Sequence, residues 1–407
     1  MNKSCQACES NTVKILLDFG AQPLCNRFSS KPHEDDYHHL LILGQCRNCS
    51  LIQLIDPVPA NEIIPRVEWL KYNEPEEHLD DLANIICALE GLSEKPVACG
   101  ITYKDDSLLS RLDEKSFERT WRIEPEQDLG IIQKGIAGET IIPKLTSSSV
   151  KNITDKYGCV DVVIARHILE HALNTKAFLS TIWDILKPGG YIVFEVPDCT
   201  KQLENFDYSM PWEEHVLYFV PETLKLIFDY TSYELVQFQQ YPYETEDSQV
   251  AIVRKVHGLV SKNSQSIPAA FLLAESYANS FEMNRRIVYS YLKDYAENVG
   301  KVVFYGAGHL SVFLVKSLKI EDFIEFIVDD TKHKQNLYLP GTSLKIKSSD
   351  LLEQEKISLC VLCLNVEYEK KIMRNHHEFI ARGGIFVSAF PNQKKSLFKL
   401  ANEHYHI

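Results

Sequence analysis

Four cysteines near the N-terminus have the residue type and spacing of a metal site. They form two pairs with two residues between the partners, Cys5 with Cys8 and Cys46 with Cys49. This gap lets both thiolates of a pair face one ion at ~2.3 Å, and Zn²⁺ takes four such soft ligands in a tetrahedron. The sequence therefore predicts a structural zinc ion held by all four thiolates. Because cysteine fills every position, none is left open for catalysis.

A second group of reactive side chains lies in the segment Trp-Glu-Glu-His-Val-Leu-Tyr-Phe at 212–219. Imidazole titrates near neutral pH, and a neighbouring carboxylate stabilises its protonated form. Glu214 and His215 could therefore work together as a general acid and base, the alternative being an ordinary solvated pair. Glu170 and His171 are alternative titrating groups, but they lie at a predicted helix start, where a structural role is more common.

Upstream of the Glu-His pair, the sequence predicts a βαβ unit. Apolar runs of strand length lie at 160–164 and 191–196, and Lys-Pro-Gly-Gly at 187–190 separates the second run from a helix. The predicted helix has apolar residues at helical spacing: Phe178, Ile182, Ile185 and Leu186. Because strands joined by a helix run parallel, the local sheet is predicted to be parallel.

The phrases DVVIARHILEH and LKPGGYIVFEVPD, within 161–198, resemble the second half of a class I S-adenosylmethionine (SAM)-dependent methyltransferase. The chain as a whole resembles the three-part sugar C-methyltransferases that act on nucleotide-linked deoxysugars. The paired cysteines carry this resemblance together with Gln-Pro-Leu-Cys-Asn-Arg-Phe at 22–28 and Lys-Gln-Asn-Leu-Tyr-Leu-Pro-Gly-Thr at 334–342. Within the first phrase, Cys25 is expected to be a packing residue.

The resemblance implies an α/β fold: a class I methyltransferase (Rossmann-like) domain, preceded by a small zinc-binding module and followed by a second Rossmann-like α/β domain. The expected divisions are a zinc-binding module at 1–60, a linker helix at 61–90, a methyltransferase-like domain at 91–260, a helical bridge at 261–299 and a C-terminal Rossmann-like domain at 300–407. In the last domain, Gly-Ala-Gly at 306–308 follows a predicted strand. Ser311 replaces the third glycine of the dinucleotide pattern, so this motif alone is weak support for NAD binding.

The resembling family uses a Glu-His pair as its acid-base apparatus, and the resemblance assigns this role to Glu214 and His215. The pair would remove a proton from the sugar carbon next to a 4-keto group, giving an enolate that attacks the methyl group. Tyr218 belongs to the same motif. Tyr72 is the nearest candidate for a tyrosine that lines the family's active site, with packing as its alternative role. Trp212 stands where the family has tyrosine, which removes a hydroxyl that could donate to an oxyanion.

The turn that should bind the cofactor departs from the family pattern. In a class I methyltransferase, glycines after the first strand let the backbone approach the methionine and ribose of SAM. Aligned without gaps, Thr102 and Asp106 replace the two family glycines, and Asp105 is retained. Gly100 takes the position of an acidic residue. The site could be reshaped, could use Gly100 instead, or could no longer bind SAM.

Other candidate cofactor contacts follow at predicted strand ends. Trp-Arg-Ile-Glu-Pro at 121–125 resembles the second strand of such domains, whose final acid accepts from both cis hydroxyls of ribose. Glu124 is that acid, with a simple strand-end turn as its alternative role. Arg166 and His167 end the next predicted strand, where ligands bind in open α/β sheets. The expected cofactors are structural Zn²⁺ and SAM, the latter near Gly100, Thr102, Asp105, Glu124, Arg166 and His167.

Composition limits the classes of partner. The 407-residue chain has a net charge of −13 and no basic stripe for phosphates, which argues against nucleic acid. No apolar run reaches membrane-spanning length, and the N-terminus lacks the apolar core of a signal peptide. Eleven cysteines without a secretion signal are typical of a reducing compartment, so we expect a cytoplasmic protein. The expected partner is a nucleotide-sugar substrate, and the sequence does not predict the oligomeric state.

Three functions are compatible with these patterns. The first is a SAM-dependent C-methyltransferase acting on a nucleotide-linked keto-deoxysugar. The second keeps proton abstraction beside the ketone without methyl transfer, as a keto-sugar epimerase or isomerase, which suits the altered turn and Trp212. The third is a non-methylating pseudoenzyme or scaffold. SAM binding separates the first function from the others, and keto-sugar turnover separates the second from the third.

Overall fold

The computed structural model describes residues 4–34, 37–64, 74–132, 136, 138–256 and 268–405. The chain divides into two compact units. The first unit contains residues 1–16, 43–200 and 214–272, and the second unit contains 17–42, 201–213 and 273–407. Each unit therefore combines segments that are far apart in the sequence.

Strands and helices alternate through most of the chain. The strands are β1 (Val13–Pro23), β2 (His38–Cys46), β3 (Ile52–Leu54), β4 (Val97–Gly100), β5 (Arg119–Arg122), β6 (Val160–Arg166), β7 (Leu186–Asp198), β8 (Leu217–Tyr218), β9 (Tyr233–Tyr241), β10 (Asp247–Lys255), β11 (Lys301–Tyr305), β12 (Ile324–Val328), β13 (Ile346–Lys347), β14 (Ile357–Leu362) and β15 (Ile385–Ser388). The α-helices are α1 (Ala60–Ile63), α2 (Leu79–Cys87), α3 (Asp106–Asp113), α4 (Pro125–Leu129), α5 (Gly138–Ile141), α6 (Ser147–Tyr157), α7 (Thr175–Trp183), α8 (Thr200–Glu204), α9 (Pro221–Ile227), α10 (Pro268–Asn298), α11 (His309–Ser317), α12 (Leu351–Gln354), α13 (Val366–Asn375), α14 (His377–Ala381) and α15 (Leu397–His404).

The main sheet of the first unit has six strands in the order β5-β4-β6-β7-β10-β9. Strands β5, β4, β6 and β7 run parallel, and β10 and β9 complete the sheet in antiparallel pairs. Every residue of β6 is buried, which explains its almost uninterrupted apolar sequence. The predicted parallel pairing of β6 and β7 and the α/β fold class are confirmed. Because the parallel strands end at one edge, the residues that follow them are brought together there.

Two helices cover one face of this sheet and fix the turn after β4. Helix α2 buries Leu79, Leu82, Ala83 and Ile86, whose spacing places them on one helical face. Helix α3 buries Leu108, Leu109 and Leu112 in the same cluster. Burying one leucine or isoleucine stabilises the fold by roughly 1.5–3 kcal/mol. The turn at 101–105 is therefore anchored by the core immediately after it.

Helix α7 ends earlier than the sequence predicts. It stops at Trp183, and β7 begins at Leu186, so the prediction that Ile185 and Leu186 belong to the helix is wrong. The carbonyl of Ile185 accepts the Val160 N–H at 3.0 Å, and Leu186 pairs with Val160. Pairing with β6 therefore determines the conformation of these two residues, despite their helical spacing in the sequence. The Lys-Pro-Gly-Gly stop at 187–190 lies inside the strand rather than before it.

A small sheet joins the cysteine segment to the Glu-His segment. Its strand order is β1-β2-β3-β8. In β8, Tyr218 pairs with Ile52 and Leu217 pairs with Gln53, both in β3. The N–H of Leu54 also donates to the carbonyl of Val216 at 2.8 Å. The backbone directly after His215 is therefore hydrogen-bonded to the strand that follows Cys49.

The second unit contains a five-stranded parallel sheet in the order β13-β12-β11-β14-β15. The turn from β11 to α11 passes through Gly306, whose φ is +103°. A Cβ on Gly306 would lie 2.6 Å from the carbonyl oxygen of Cys363, so only glycine fits. The long helix α10 lies within the predicted helical bridge at 261–299. No helix within the described ranges is both long and apolar enough to span a membrane.

Candidate functional site

The four N-terminal cysteines converge as the sequence predicts. Their sulfur atoms lie within 4.8 Å of one another, with Cys5 Sγ 3.4 Å from Cys49 Sγ and Cys8 Sγ 3.6 Å from Cys46 Sγ. These distances are far longer than the ~2.05 Å of a disulfide, and all four thiols are free. They approach the spacing of roughly 3.8 Å that four sulfurs adopt around a tetrahedral zinc ion. The donor set therefore fits Zn²⁺.

Hydrogen-bond donors surround one of these sulfurs. The Sγ of Cys46 is 3.4 Å from the N–H of Asn48, 3.4 Å from the hydroxyl of Ser10 and 3.6 Å from the hydroxyl of Thr12. Donors directed at a ligating sulfur stabilise its thiolate form and hold its orientation. This arrangement supports a closed structural site.

A buried network of charged groups lies at the carboxyl end of β6 and in β7. Glu195 accepts from the guanidinium of Arg166 at 2.5 Å, and it lies 3.3 Å from His167 Nε2 and 3.2 Å from His78 Nε2. The hydroxyl of Ser248 donates to the same carboxylate at 2.7 Å. Burial alone would raise the pKa of Glu195, but Arg166 and the two imidazoles hold it well below its usual range. A buried charge is tolerable only with such pairing.

His167 connects this network to two further carboxylates. Its Nδ1 lies 3.7 Å from Glu170 and 3.9 Å from Glu74, which in turn accepts from Lys104 at 2.6 Å. Burial opposes protonation of His167, yet the surrounding carboxylates raise its pKa to about 10. Its φ of +47° is uncommon for a residue with a side chain, and strained backbone of this kind is concentrated at functional sites.

Asp105 holds the turn after β4 closed. Its Oδ2 accepts the N–H groups of Ile101 and Thr102 at 2.7 and 2.8 Å, and its Oδ1 accepts the N–H of Arg166 at 2.9 Å. Burial raises the pKa of Asp105 to about 6, although these hydrogen bonds act to lower it. The carboxylate therefore ties β4 to β6. The hydroxyl of Thr102 accepts from the N–H of Lys104, which caps the same turn.

The remaining predicted cofactor residues lie on β4 and directly after β5. Gly100 is packed tightly, since a Cβ there would lie 2.8 Å from the Cβ of Asp105. Glu124 follows β5, and its side chain is 46% exposed and accepts from Arg122 at 3.2 Å. A carboxylate at this edge can still accept hydroxyl groups from a ligand. Direct contact of these residues with SAM stays a prediction.

The Glu-His pair lies in a cluster of titratable groups. The rings of His215 and His171 are 4.9 Å apart and nearly perpendicular. Nδ1 of His171 is 2.9 Å from the carbonyl oxygen of Glu214, and because a carbonyl only accepts, Nδ1 carries the hydrogen. Glu170 has a carboxylate oxygen within 4.8 Å of one ring nitrogen of each histidine. The structure therefore combines the two pairs that the sequence treats as alternatives.

Two buried carboxylates border this cluster. Glu139 Oε2 lies 3.9 Å from His171 Nδ1. This oxygen and Oε2 of Glu170 have no hydrogen-bond partner among the described residues. A Cβ on Gly138 would lie 3.1 Å from the His171 ring, so glycine is needed for this close approach. Buried acceptors without a donor are rare, and they are candidates for holding a substrate group or a cation.

Tyrosines complete the description of the site. Burial raises the pKa of the Tyr103 phenol, with Lys104 opposing the shift. Three carboxylates raise the same pKa further: those of Glu74, Glu139 and Glu214. Tyr218 is buried in β8, with its ring centroid 6.4 Å from that of His215. Tyr72 lies outside the described residues.

Sequence reasoning did not single out Glu74, Tyr103, Glu139 or Glu195. A signal existed for Glu195 only: an arginine and a glutamate interrupt two apolar strands that are predicted to be neighbours, and Arg166 pairs with Glu195 in the sheet. Buried charges in adjacent strands indicate an ion pair. The other three residues lie in a turn, a short helix and a connecting segment without a recognisable pattern.

Three family profiles match successive parts of the chain. Residues 5–63 match a family described as a zinc binding domain, residues 104–237 match a methyltransferase domain, and residues 240–391 match the C-methyltransferase C-terminal domain. The chain is a SAM-dependent methyltransferase. The matches confirm the predicted enzyme class and the predicted cofactors, SAM and zinc. They also confirm the predicted domain types, whereas a sugar substrate and the site residues stay predictions.

Solved methyltransferase structures match part of the chain at low sequence identity and low TM-score. The N-methyltransferase NodS from Bradyrhizobium japonicum WM9, in complex with S-adenosyl-L-homocysteine, is 12% identical, with 46% of this methyltransferase and 90% of NodS covered and a TM-score of 0.30. A SAM-dependent methyltransferase from Archaeoglobus fulgidus is 17% identical, with 44% of this chain and 94% of that protein covered and a TM-score of 0.31. The CurJ carbon methyltransferase is 15% identical, with 44% of this chain and 54% of CurJ covered and a TM-score of 0.28. No curated protein matches the sequence.

Proposed function

We propose that this methyltransferase transfers a methyl group to a carbon atom of a nucleotide-linked keto-deoxysugar. The observation that supports the proposal is the packing of His215 against His171, in a cluster bordered by the buried carboxylates of Glu139 and Glu170. A carbon nucleophile requires removal of a proton from carbon. Proton removal beside a ketone requires a base near neutral pH and a donor for the enolate oxygen.

His215 is the base in this proposal. It takes the proton from the carbon next to the ketone, and the electrons of that C–H bond move to the carbonyl oxygen. The buried carboxylates stabilise the resulting imidazolium, while the N–H that His171 donates to the Glu214 carbonyl fixes the backbone beside the base. Glu214 shares the acid-base role with His215. The enolate carbon would then bond to the methyl group that SAM supplies, while the methyl–sulfur bond would break and S-adenosylhomocysteine would leave.

Tyr103 supplies the hydroxyl that Trp212 lacks. A phenol is protonated at neutral pH even at its ordinary pKa, and burial shifts the pKa of Tyr103 further upward, so its hydroxyl can donate a hydrogen bond to a developing oxyanion. Its position next to Lys104, at the carboxyl end of β4, suits contact with a ligand bound at this edge.

SAM, when bound, supplies the methyl group as an electrophile. Glu124 is the residue that would hold its ribose hydroxyls, since a half-exposed carboxylate after β5 can accept from two hydroxyls at once. Gly100, Thr102, Asp105, Arg166 and His167 would form the wall at the ends of β4 and β6. Asp105 would act by closing the turn, because its oxygens already accept three backbone N–H groups.

The test is a paired isotope experiment. The enzyme is incubated in D₂O with nucleotide-linked 4-keto-deoxysugars and methyl-labelled SAM, and mass spectrometry follows both deuterium and methyl uptake. We expect methylated product from the wild type. His215→Gln should abolish both signals, and Glu124→Ala should lose methylation at low SAM while deuterium exchange continues. Absence of methylation with every such sugar, in a protein that binds SAM, would overturn the proposed substrate.

One observation favours a second function, a keto-sugar epimerase or isomerase. Two acidic side chains in and beside the cofactor turn already have partners: Asp105 accepts backbone N–H groups, and Glu74 pairs with Lys104. Such a turn could serve a sugar site without SAM. In the same experiment, this function would give deuterium exchange without SAM and no methyl uptake.

A further inference from the structure

A second group of potential metal ligands lies within the second unit. Cys25, Glu213 and His309 come from three distant chain segments, and their ligand atoms lie within 4.8 Å of one another. Cys25 and His309 are buried, with relative exposures of 1% and 7%, and the side chain of Glu213 is 12% exposed. The group shares no residue with the four-cysteine site or with the residues proposed for methyl transfer.

The hydrogen bonding of His309 directs a lone pair at Glu213. Nε2 of His309 is 3.3 Å from the carbonyl oxygen of Ser209, and because a carbonyl only accepts, Nε2 carries the hydrogen. Nδ1 is then an acceptor, and it has no hydrogen-bond partner among the described residues. It faces Oε2 of Glu213 at 3.9 Å. Two buried acceptors that face each other are unfavourable unless a proton or a cation lies between them.

The tautomer set by the Ser209 carbonyl leaves the lone pair of His309 Nδ1 directed into the group. A neutral imidazole binds a metal ion through such a lone pair.

Neighbouring groups orient the other two ligands. The N–H of Cys25 donates to Oε1 of Glu213 at 2.8 Å, which leaves Oε2 directed at the imidazole. The indole N–H of Trp212 lies 3.4 Å from Cys25 Sγ, where donation favours a thiolate, and the indole ring packs on His309 at 5.0 Å. Outer hydrogen bonds of this kind are typical of the groups that support metal ligands.

We propose that Cys25, Glu213 and His309 bind a second zinc ion. One thiolate, one imidazole and one carboxylate suit Zn²⁺, and three protein ligands leave a fourth position open for water or a ligand oxygen. Tetrahedral zinc places such atoms roughly 3.3–3.5 Å apart, so atoms that lie within 4.8 Å of one another would need to close by about 1.5 Å at most. Cys25 is then a ligand rather than the packing residue that the sequence suggests.

Metal content tests this site. The full-length protein is equilibrated with excess Zn²⁺, passed through a desalting column and assayed for zinc by mass spectrometry. We expect two zinc ions per chain for the wild type and one for Cys25→Ser and for His309→Gln. The matched control is His376→Gln, because His376 is equally buried and its Nδ1 also faces a carboxylate, that of Glu353 at 3.5 Å, without a nearby cysteine ligand. The control should keep two ions.

Cobalt distinguishes this site from the four-cysteine site. Co²⁺ is added to protein that carries one zinc ion per chain, and the near-ultraviolet thiolate-to-cobalt absorption is recorded. We expect a band of single-thiolate intensity that Cys25→Ser removes. One zinc ion per chain in the wild type and no cobalt band would overturn the proposal. Because the cobalt titration uses wild-type protein, it decides the question even if circular dichroism finds a variant unfolded.

Discussion

The two large sheets of this methyltransferase each have an acid after one of their parallel strands, and the two acids have different partners. In the first unit, Glu124 follows β5, is about half exposed and accepts from Arg122. In the second unit, Asp329 follows β12 and is 8% exposed. Its Oδ2 accepts the N–H of Ala307 at 2.7 Å and lies 3.7 Å from the ammonium of Lys334. The same layout thus leaves the acid accessible to a ligand in one unit and bonds it to its own turn in the other.

This difference explains why the Gly-Ala-Gly turn at 306–308 is a poor predictor of dinucleotide binding. The acid that would accept ribose hydroxyls is bonded to the turn itself, and Lys334 also donates to the carbonyl of Ala307 at 2.8 Å. A motif identifies a backbone shape, whereas ligand binding requires groups that remain available at the sheet edge.

The largest expected effect is on the rate of methyl transfer, which should depend on a histidine of the first unit and not on a buried histidine of the second. His215→Gln removes the proposed base from the first unit, and we expect methyl transfer to fall by about 10²–10⁴-fold, the usual contribution of a general base. His376→Gln, in the second unit, should leave kcat unchanged. Initial rates with labelled SAM measure both. A His215→Gln variant with wild-type rates would assign the base elsewhere.

The next effect concerns the pH dependence of the charged network in the first unit. Since folding raises the pKa of His167 from 6.5 to about 10, its contribution to stability is complete below pH 6.5 and is lost as pH rises towards 10. Each pKa unit corresponds to about 1.4 kcal/mol, so the decline should reach several kcal/mol. Urea unfolding at pH 6.5 and pH 9.5 measures it.

His167→Gln is the control for this pH dependence. The variant should be less stable than wild type at pH 6.5, and its stability should fall less between pH 6.5 and 9.5. Equal slopes for the two proteins would contradict a protonated His167 in the folded state.

Smaller effects are expected when Asp329 and Glu124 are replaced in turn, because one acid should affect stability and the other SAM affinity. Asp329→Ala leaves the N–H of Ala307 and the ammonium of Lys334 without this carboxylate, so we expect a loss of about 1–3 kcal/mol in the free energy of unfolding. SAM affinity should not change. Glu124→Ala should do the reverse, with stability within about 0.5 kcal/mol of wild type because the site is partly exposed. Urea unfolding and calorimetric titration with SAM give the four values.

For Glu124→Ala we expect SAM affinity to fall by roughly tenfold or more, since hydrogen bonds to a charged group contribute about 1.5–3 kcal/mol each. Unchanged affinity in this variant, or weakened affinity in Asp329→Ala, would remove the distinction between the two acids.

The sequence predicts those parts of the molecule that depend on local spacing. Cys5 with Cys8 and Cys46 with Cys49 define the zinc site because each pair is set by a short loop, and the apolar runs define β6 and β7. The sequence does not predict features that depend on contacts between residues far apart in the chain. The end of α7 depends on Val160, whose N–H donates a hydrogen bond to the carbonyl of Ile185.

The candidate sites divide in the same way. Glu214 and His215 are recognisable because they are adjacent, whereas their neighbours Glu139 and His171 reach them through the fold. The Cys25–Glu213 contact joins residues 188 positions apart. Sequence spacing carries no information about such a contact, so the sequence predicts an ordinary packing role for Cys25.

Under the proposed role of His215, the backbone hydrogen bonds between β3 and β8 would give the structural zinc ion indirect control of catalysis. Residues 217–218 are held by the strand that follows Cys49, so a chelator that strips this zinc should release the segment carrying His215. Chelation would then act as a non-competitive inhibitor, lowering kcat without competing for SAM or sugar. An ion that never touches the substrate would set the fraction of enzyme molecules able to react.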